Sequence, residues 1–330
     1  MVAELKHTAP LLGCRCDPSG KYVFAGGQDN AVQRWDIASG KKTTLTGHES
    51  WIRAIAFAAN EKLAITADYQ GKLLFWPVDA DAPKPVKSIE AHDGFVRWMA
   101  VSPDGKRLAT AGNDGLVKLW SLPDCKPITA LSGHGCHVYA VVFSPDGTLA
   151  SCDLKGVVKV WDLGKGAAAR EMDAKILYKY DPGFMADIGG ARGMAYSPDG
   201  KYLACSGITD VSNAFAGVGN PLVVVFDAAT GQRKHLLRPK EAFQGTAWGV
   251  GFHPAGFAIA VGGGNGGALW FWSLDKGENV FTLKFPNNGR DLALHPDGNR
   301  LAVPFADGVV RVYDMSPKLD AVAEKKPLPK

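Results

Sequence analysis

Three constellations in this chain carry residue types that do chemistry in other proteins. His92, Thr110 and Asp114 supply a base, a hydroxyl and a carboxylate, the components of a nucleophilic triad. His134-Gly135-Cys136-His137 clusters metal-ligating side chains, and Gly262–Gly267 (GGGNGG) contains the GxGxxG spacing of a phosphate cradle. Context weakens the last two. A cradle needs a strand before it and a helix N-terminus after it, whereas here Ala268-Leu269-Trp270-Phe271-Trp272 reads as another strand, so a flexible hairpin turn is expected. A structural zinc site usually needs four ligands, and no second pair has matching spacing, so no metal is expected. Arginine is a different matter. Its planar fork grips carboxylate or phosphate with two bonds, and the value of Arg53, Arg97, Arg192 and Arg290 depends on whether the fold gathers them.

The elements that would position these residues are short strands. Phe95–Ser121 is the clearest example. A dense apolar run, Phe95–Val101, meets the turn Ser102-Pro103-Asp104-Gly105, in which Pro fixes one φ and Gly tolerates a positive one. Arg107–Gly112 is a second strand, Asn113-Asp114-Gly115 a hairpin turn, and Leu116–Leu122 a third strand carrying Trp120. Composition agrees: 330 residues, 46% apolar and 21% charged, with 39 glycines and 20 prolines, suit a sizeable core in a chain that turns often. The net charge of +4 is too mild to imply nucleic acid or membrane by itself. Six cysteines, at 14, 16, 125, 136, 152 and 205, repeat no spacing and are expected as buried reduced thiols. The start MVAELKHTAP has no charged-then-apolar signal, and no apolar run approaches membrane-spanning length, so a soluble cytoplasmic protein is expected.

The same unit recurs. Equivalents of the SPDG turn begin at Asp17, Ala58, Ser102, Ser144, Ser197, His253 and His295, spaced by 41, 44, 42, 53, 56 and 42 residues. About eighteen residues past each stands an aromatic, Trp35, Trp76, Trp120, Trp161, Phe226, Trp272 and Tyr313, with only the fifth copy needing a large insertion to keep this register. Ten residues before stand His7, His48, His92 and His134, then Asp187, Phe243 and Phe285. With Gly47-His48, Gly133-His134, Trp35-Asp36 and Trp161-Asp162, this resembles the WD-repeat β-propeller family over nearly the whole chain.

The resemblance implies an all-β fold: a seven-bladed β-propeller of four-stranded antiparallel blades, spanning 1–316 as one domain. One blade cannot bury both faces alone, so blades stack around an axis. The family closes its ring by mixing the chain ends, so Val2–Thr8 is expected as the outer strand of the last blade. The segment 317–330, with four lysines and three prolines, is expected as a mobile basic tail, with room for a short helix over 319–326. His92, Thr110, Asp114 and Trp120 fit the bracing tetrad of such blades, which turns the apparent triad into a structural device. Only the third copy is expected to hold all four, because blade one has Ala25 at the hydroxyl position, and blades two and four have Gln70 and Lys155 at the Asp position.

Partner contacts in this family concentrate at three places per blade on the narrow upper face. Five residues before each turn stand Leu12, Arg53, Arg97, Tyr139, Arg192, Trp248 and Arg290. Seven before stand Pro10, Trp51, Phe95, His137, Gly190, Thr246 and Asn288. The second-turn position gives Gln28, Tyr69, Asn113, Leu154, Gly219, Asn265 and Ala306, and these twenty-one places include no carboxylate. An arginine crown lined by Trp51, Tyr69, Phe95, His137, Tyr139 and Trp248 is therefore expected. Two insertions, between Trp161 and Ser197 and around Ser206–Asn220, should neighbour each other over blade five. The first is expected to place its outer strand at Lys175–Tyr180 and its loop at Asp181–Gly190, and together they carry Phe184, Met185 and Phe215 as a lid or side wall.

The expected function is a non-catalytic, monomeric interaction scaffold that needs no cofactor and docks an acidic or phosphorylated peptide segment of a protein partner. Two alternatives remain at this stage. A propeller hydrolase would need acids or metal ligands in its channel, and the rim positions supply none. A nucleic-acid-binding module would use the basic crown and tail.

Overall fold

The computed structural model describes residues 1–58, 62–213 and 217–316. The basic tail 317–330, its short helix and Phe215 lie outside the described residues.

Local chemistry makes each hairpin. In the third copy the Ser102 backbone N–H bonds the Arg107 carbonyl at 2.9 Å, and the Arg107 N–H bonds Ser102 Oγ at 2.9 Å. Ser102 Oγ–H donates to Asp104 Oδ1 at 2.5 Å, so one serine closes the turn between two strands. Ser197 and Asp199 repeat the side-chain bond at 2.7 Å.

Among the described residues, all but two of the thirty strands fall into seven four-stranded antiparallel sheets. The third is typical, with Val96–Val101 inside, then Arg107–Gly112, Val117–Ser121 and Pro127–Leu131 outside. The seventh takes Ala293–Leu294, Arg300–Pro304 and Val309–Asp314 from the end of the described chain and Ala3–Lys6 from its start. Ala3 faces Val312 and Lys6 faces Val309, with flanking bonds from Val2 N–H to Val312 O (2.7 Å) and His7 N–H to Gly308 O (2.8 Å). The ring closes as the resemblance implied.

The core lies between blades. Among the described residues seven apolar clusters form, each built from two consecutive sheets. The last joins Leu5 and Val310 of the seventh sheet to Val23 and Trp35 of the first. Both faces of every sheet are thereby removed from water, the condition a lone blade cannot meet.

The fourth copy departs from expectation. Its outer strand is Ala167–Asp173, not Lys175–Tyr180. Lys175–Leu177 is a 3-10 turn, and Tyr178–Asp181 pairs with Ala186–Gly189 in a separate two-stranded hairpin. The reason is physical: an outer strand has one neighbour and is mostly exposed, so the polar, alanine-rich AAAREMD suffices, while the apolar Leu177 is buried beneath the hairpin. In the fifth copy Tyr202–Asn213 and Val218–Asp227 form a lengthened hairpin. Lys179 Nζ donates to the Val211 carbonyl at 2.5 Å, so the two insertions do meet. Met185 is 81% exposed at the tip of the first.

Candidate functional site

The apparent triad is a brace. In blade three, Trp120 Nε1–H donates to Thr110 Oγ1 (3.1 Å), which lies 2.6 Å from His92 Nε2, while His92 Nδ1 donates to Asp114 Oδ1 at 2.9 Å. The hydroxyl is fully buried between an indole and an imidazole and faces no cleft. Contrary to the sequence reading, blades two and four hold complete tetrads: His48, Thr66, Trp76 with Asp68, and His134, Ser151, Trp161 with Asp153. The carboxylate comes from the end of the second strand instead of the following turn, which is why Gln70 and Lys155 misled. In blade one no tetrad forms: His7 Nε2 meets Asp29 at 2.8 Å, its Nδ1 is buried without a partner among the described residues, and no hydroxyl replaces the missing one at Ala25.

The other two constellations also have structural places. His134 serves its tetrad, while His137 Nδ1 bonds the Asn113 carbonyl at 2.6 Å, so the HGCH side chains do not converge. The glycine run forms the ends of Phe257–Gly264 and Gly266–Ser273. Its glycines answer to close packing more than to flexibility: a Cβ at Gly262 would lie 2.7 Å from the Trp270 ring, and one at Gly263 2.5 Å from Asn288.

The crown residues share a backbone device. In five blades the ladder register shifts around this position, between Leu11 and Gly13, Ile52 and Ala54, Val96 and Trp98, Val138 and Ala140, and Ala247 and Gly249. The residue inside each shift is unpaired, and such bulges re-aim a side chain. Arg192 and Arg290 stand just before their inner strands, held by bonds from their own N–H groups to Ser206 O (2.7 Å) and Pro304 O (2.9 Å).

These side chains meet at one mouth. Arg53, Tyr69, Arg97, Tyr139, Arg192 and Trp248 line a single cavity of 60 Å³. Cations and rings alternate around it. Arg97 lies 4.7 Å from the Tyr139 ring, Arg192 4.7 Å from Tyr139 and 5.4 Å from Trp248, and Arg290 5.0 Å from Trp248. Such contacts are worth about 0.5–2 kcal/mol each. Arg53 spans the channel, donating to the Leu12 carbonyl (3.2 Å) and to the Arg192 carbonyl (3.3 Å). Tyr69 stacks on Phe95 at 4.1 Å and meets the exposed Trp51 at 6.1 Å. Asn113 ties His137 to the crown by accepting from Arg97 Nε at 2.7 Å.

The rim is electropositive and unneutralised. Arg238, Arg300 and Arg311 pair with Asp210, Asp297 and Asp307. Among the described residues, Arg53, Arg97, Arg192 and Arg290 have no carboxylate partner, and Arg192 Nε is buried without an acceptor. Burial holds the Arg192 guanidinium below its ordinary pKa, and nearby Arg53 and Arg97 push the same way against Tyr139. Burial, then Arg53, does the same to Arg290.

Two channel residues escaped the sequence reading. The residue after each crown position is Gly13, Ala54, Trp98, Ala140, Gly193, Gly249 or Asp291, and it is small wherever inner strands nearly touch. A Cβ at Gly193 would lie 3.0 Å from Gly249 Cα. The two departures from smallness were the available signal. Asp291 is buried and pairs with Arg15 at 2.7 Å, and Arg15 lies 4.8 Å from the Trp98 ring. The channel thus holds a carboxylate, already neutralised, beside a wider chamber of 460 Å³ lined mainly by apolar side chains.

Comparison with known proteins gives a consistent picture. The family described as WD domain, G-beta repeat matches residues 1–36, 40–77, 83–121 and 125–162. Protein HIR1 of Mycosarcoma maydis is 25% identical over 331 residues, covering 97% of this chain and 29% of that protein. A ribosome biogenesis protein WDR12 homolog of Drosophila mojavensis is 29% identical over 166 residues, 44% of this chain and 40% of its own. Target of rapamycin complex subunit wat1 of Schizosaccharomyces pombe is 27% identical over 152 residues, 46% of this chain and 48% of its own. The chain spans less than half the length of each of these relatives.

Proposed function

Because the chain belongs to the WD-repeat β-propeller family, whose members generally bind protein partners, we propose that it is a non-catalytic scaffold that docks an acidic or phosphorylated segment of a protein partner on its upper rim. One observation carries this reading: four guanidinium groups from separate blades gather at one mouth without a carboxylate partner among the described residues. A preformed rim loses little conformational freedom on binding. Charge-assisted bonds from such groups contribute about 1.5–3 kcal/mol each. Trp51, Phe95 and His137 extend the surface outward, and Phe184 and Met185 crown a neighbouring hairpin that supplies a side wall.

The test replaces Arg53, Arg97, Arg192 and Arg290 by Ala in the full chain and measures capture of partner proteins from the source cell. Loss of capture with an unchanged circular dichroism spectrum is expected. Undiminished capture by a folded variant rejects the reading.

A further inference from the structure

Resting on the reading of the rim as a docking site, we propose that its central cavity takes a phosphoryl group in preference to a carboxylate. The space is small, a cavity of 60 Å³. Its size suits a compact anion better than a large ligand. The donors around it are many. An arginine offers five N–H groups, and Arg192, which lines the cavity, has its Nε buried without a partner among the described residues, while Arg290 flanks the site against Trp248. Arg97 commits only Nε, to Asn113.

The arrangement favours a tetrahedral anion. Arg53, Arg97 and Arg192 reach the cavity from the second, third and fifth blades, so they approach from different directions. A carboxylate is planar, with two oxygens and one charge, and one or two in-plane forks saturate it. A phosphoryl monoester has three outward oxygens and a charge of about −1.5 to −2 near neutral pH. The rings matter too. Tyr139 and Trp248 hold Arg192 by their faces, at 4.7 and 5.4 Å, which fixes the guanidinium without neutralising it. The crowded positive charge is relieved most by a dianion.

Methyl phosphate and acetate are the probes, titrated calorimetrically into the full chain at matched ionic strength. One methyl phosphate per chain is expected, bound at least about tenfold more tightly than acetate. Its affinity should rise as pH increases from 5 to 7, through the second phosphoryl ionisation near about 6, as the ligand gains its second charge. Arg192→Met and Arg97→Met should each weaken it about tenfold or more, while Arg233→Ala, on the exposed outer strand of blade five, should not. Using two variants keeps the test valid if one misfolds. Equal affinity for acetate, a flat pH profile, or full binding by folded Arg192→Met and Arg97→Met variants overturns the proposal. A partner held through the rim arginines with no uptake of methyl phosphate overturns it too, and leaves the docking reading standing.

Discussion

Gly112, Asp68 and Asp153 occupy equivalent positions, opposite Val96, Ile52 and Val138 at the start of their inner strands. They represent two exclusive ways to give a buried histidine its carboxylate. Where the Asp comes from the turn, as with Asp114, the strand position must be bare. A methyl group on Gly112 would overlap His92 Nδ1 and lie 2.7 Å from Asp114 Oδ1. Where the strand position itself is Asp, the carboxylate fills that space. The histidines were legible by their spacing, whereas the source of each carboxylate was not, because two backbone routes reach the same point. Gly112→Ala is expected to cost about 1–3 kcal/mol by overpacking. Urea denaturation beside the parent protein measures this, and an unchanged midpoint would refute the steric account.

Among elements, the outer strands are where sequence reading was weakest and where ring closure depends on few residues. Apolarity guides the eye to buried strands, and Ala167–Asp173 is largely exposed. Ala3–Lys6 is shorter still and also exposed in part, yet it was legible because its alignment with other copies and the closure rule pointed the same way. Leu5 is its one buried residue, packed with Val310 and Trp35. Leu5→Ala is expected to destabilise the fold by about 2–5 kcal/mol through lost burial and a residual cavity. A thermal midpoint within experimental error of the parent would mean that the clasp adds little to the ring.

At the scale of the whole molecule, carboxylates tie the blades to a pH range. Burial by itself would raise Asp114, but its bond to His92, the His92 charge, the Leu116 N–H and Lys118 hold it down to about 2. Burial would likewise raise Asp68, but the bonds from His48, Lys72 and Gln70 outweigh it and leave Asp68 low. In the surface turns, Ser197 and the Lys201 N–H hold Asp199 down to about 2. These folded values lie below those of the unfolded chain, so the stabilisation is complete above about pH 4 and is lost as pH falls toward 2. For Asp114 this amounts to about 2 kcal/mol. The thermal midpoint should be flat from pH 7 to 5 and drop between 4 and 2, with a smaller drop in Asp114→Asn. A main transition near pH 6 would refute the carboxylate account. The sequence by itself determined the repeat, the blade count, the closing strand and the rim positions, because each depends on spacing and alternation that a local strand geometry obeys. Tertiary structure alone decided which side chains meet. Seven strands converging on one axis set Arg53 against the Arg192 carbonyl, hid Asp291 beside Arg15, and left three guanidiniums around one space, with Arg290 beside it against Trp248, an arrangement that no single copy describes.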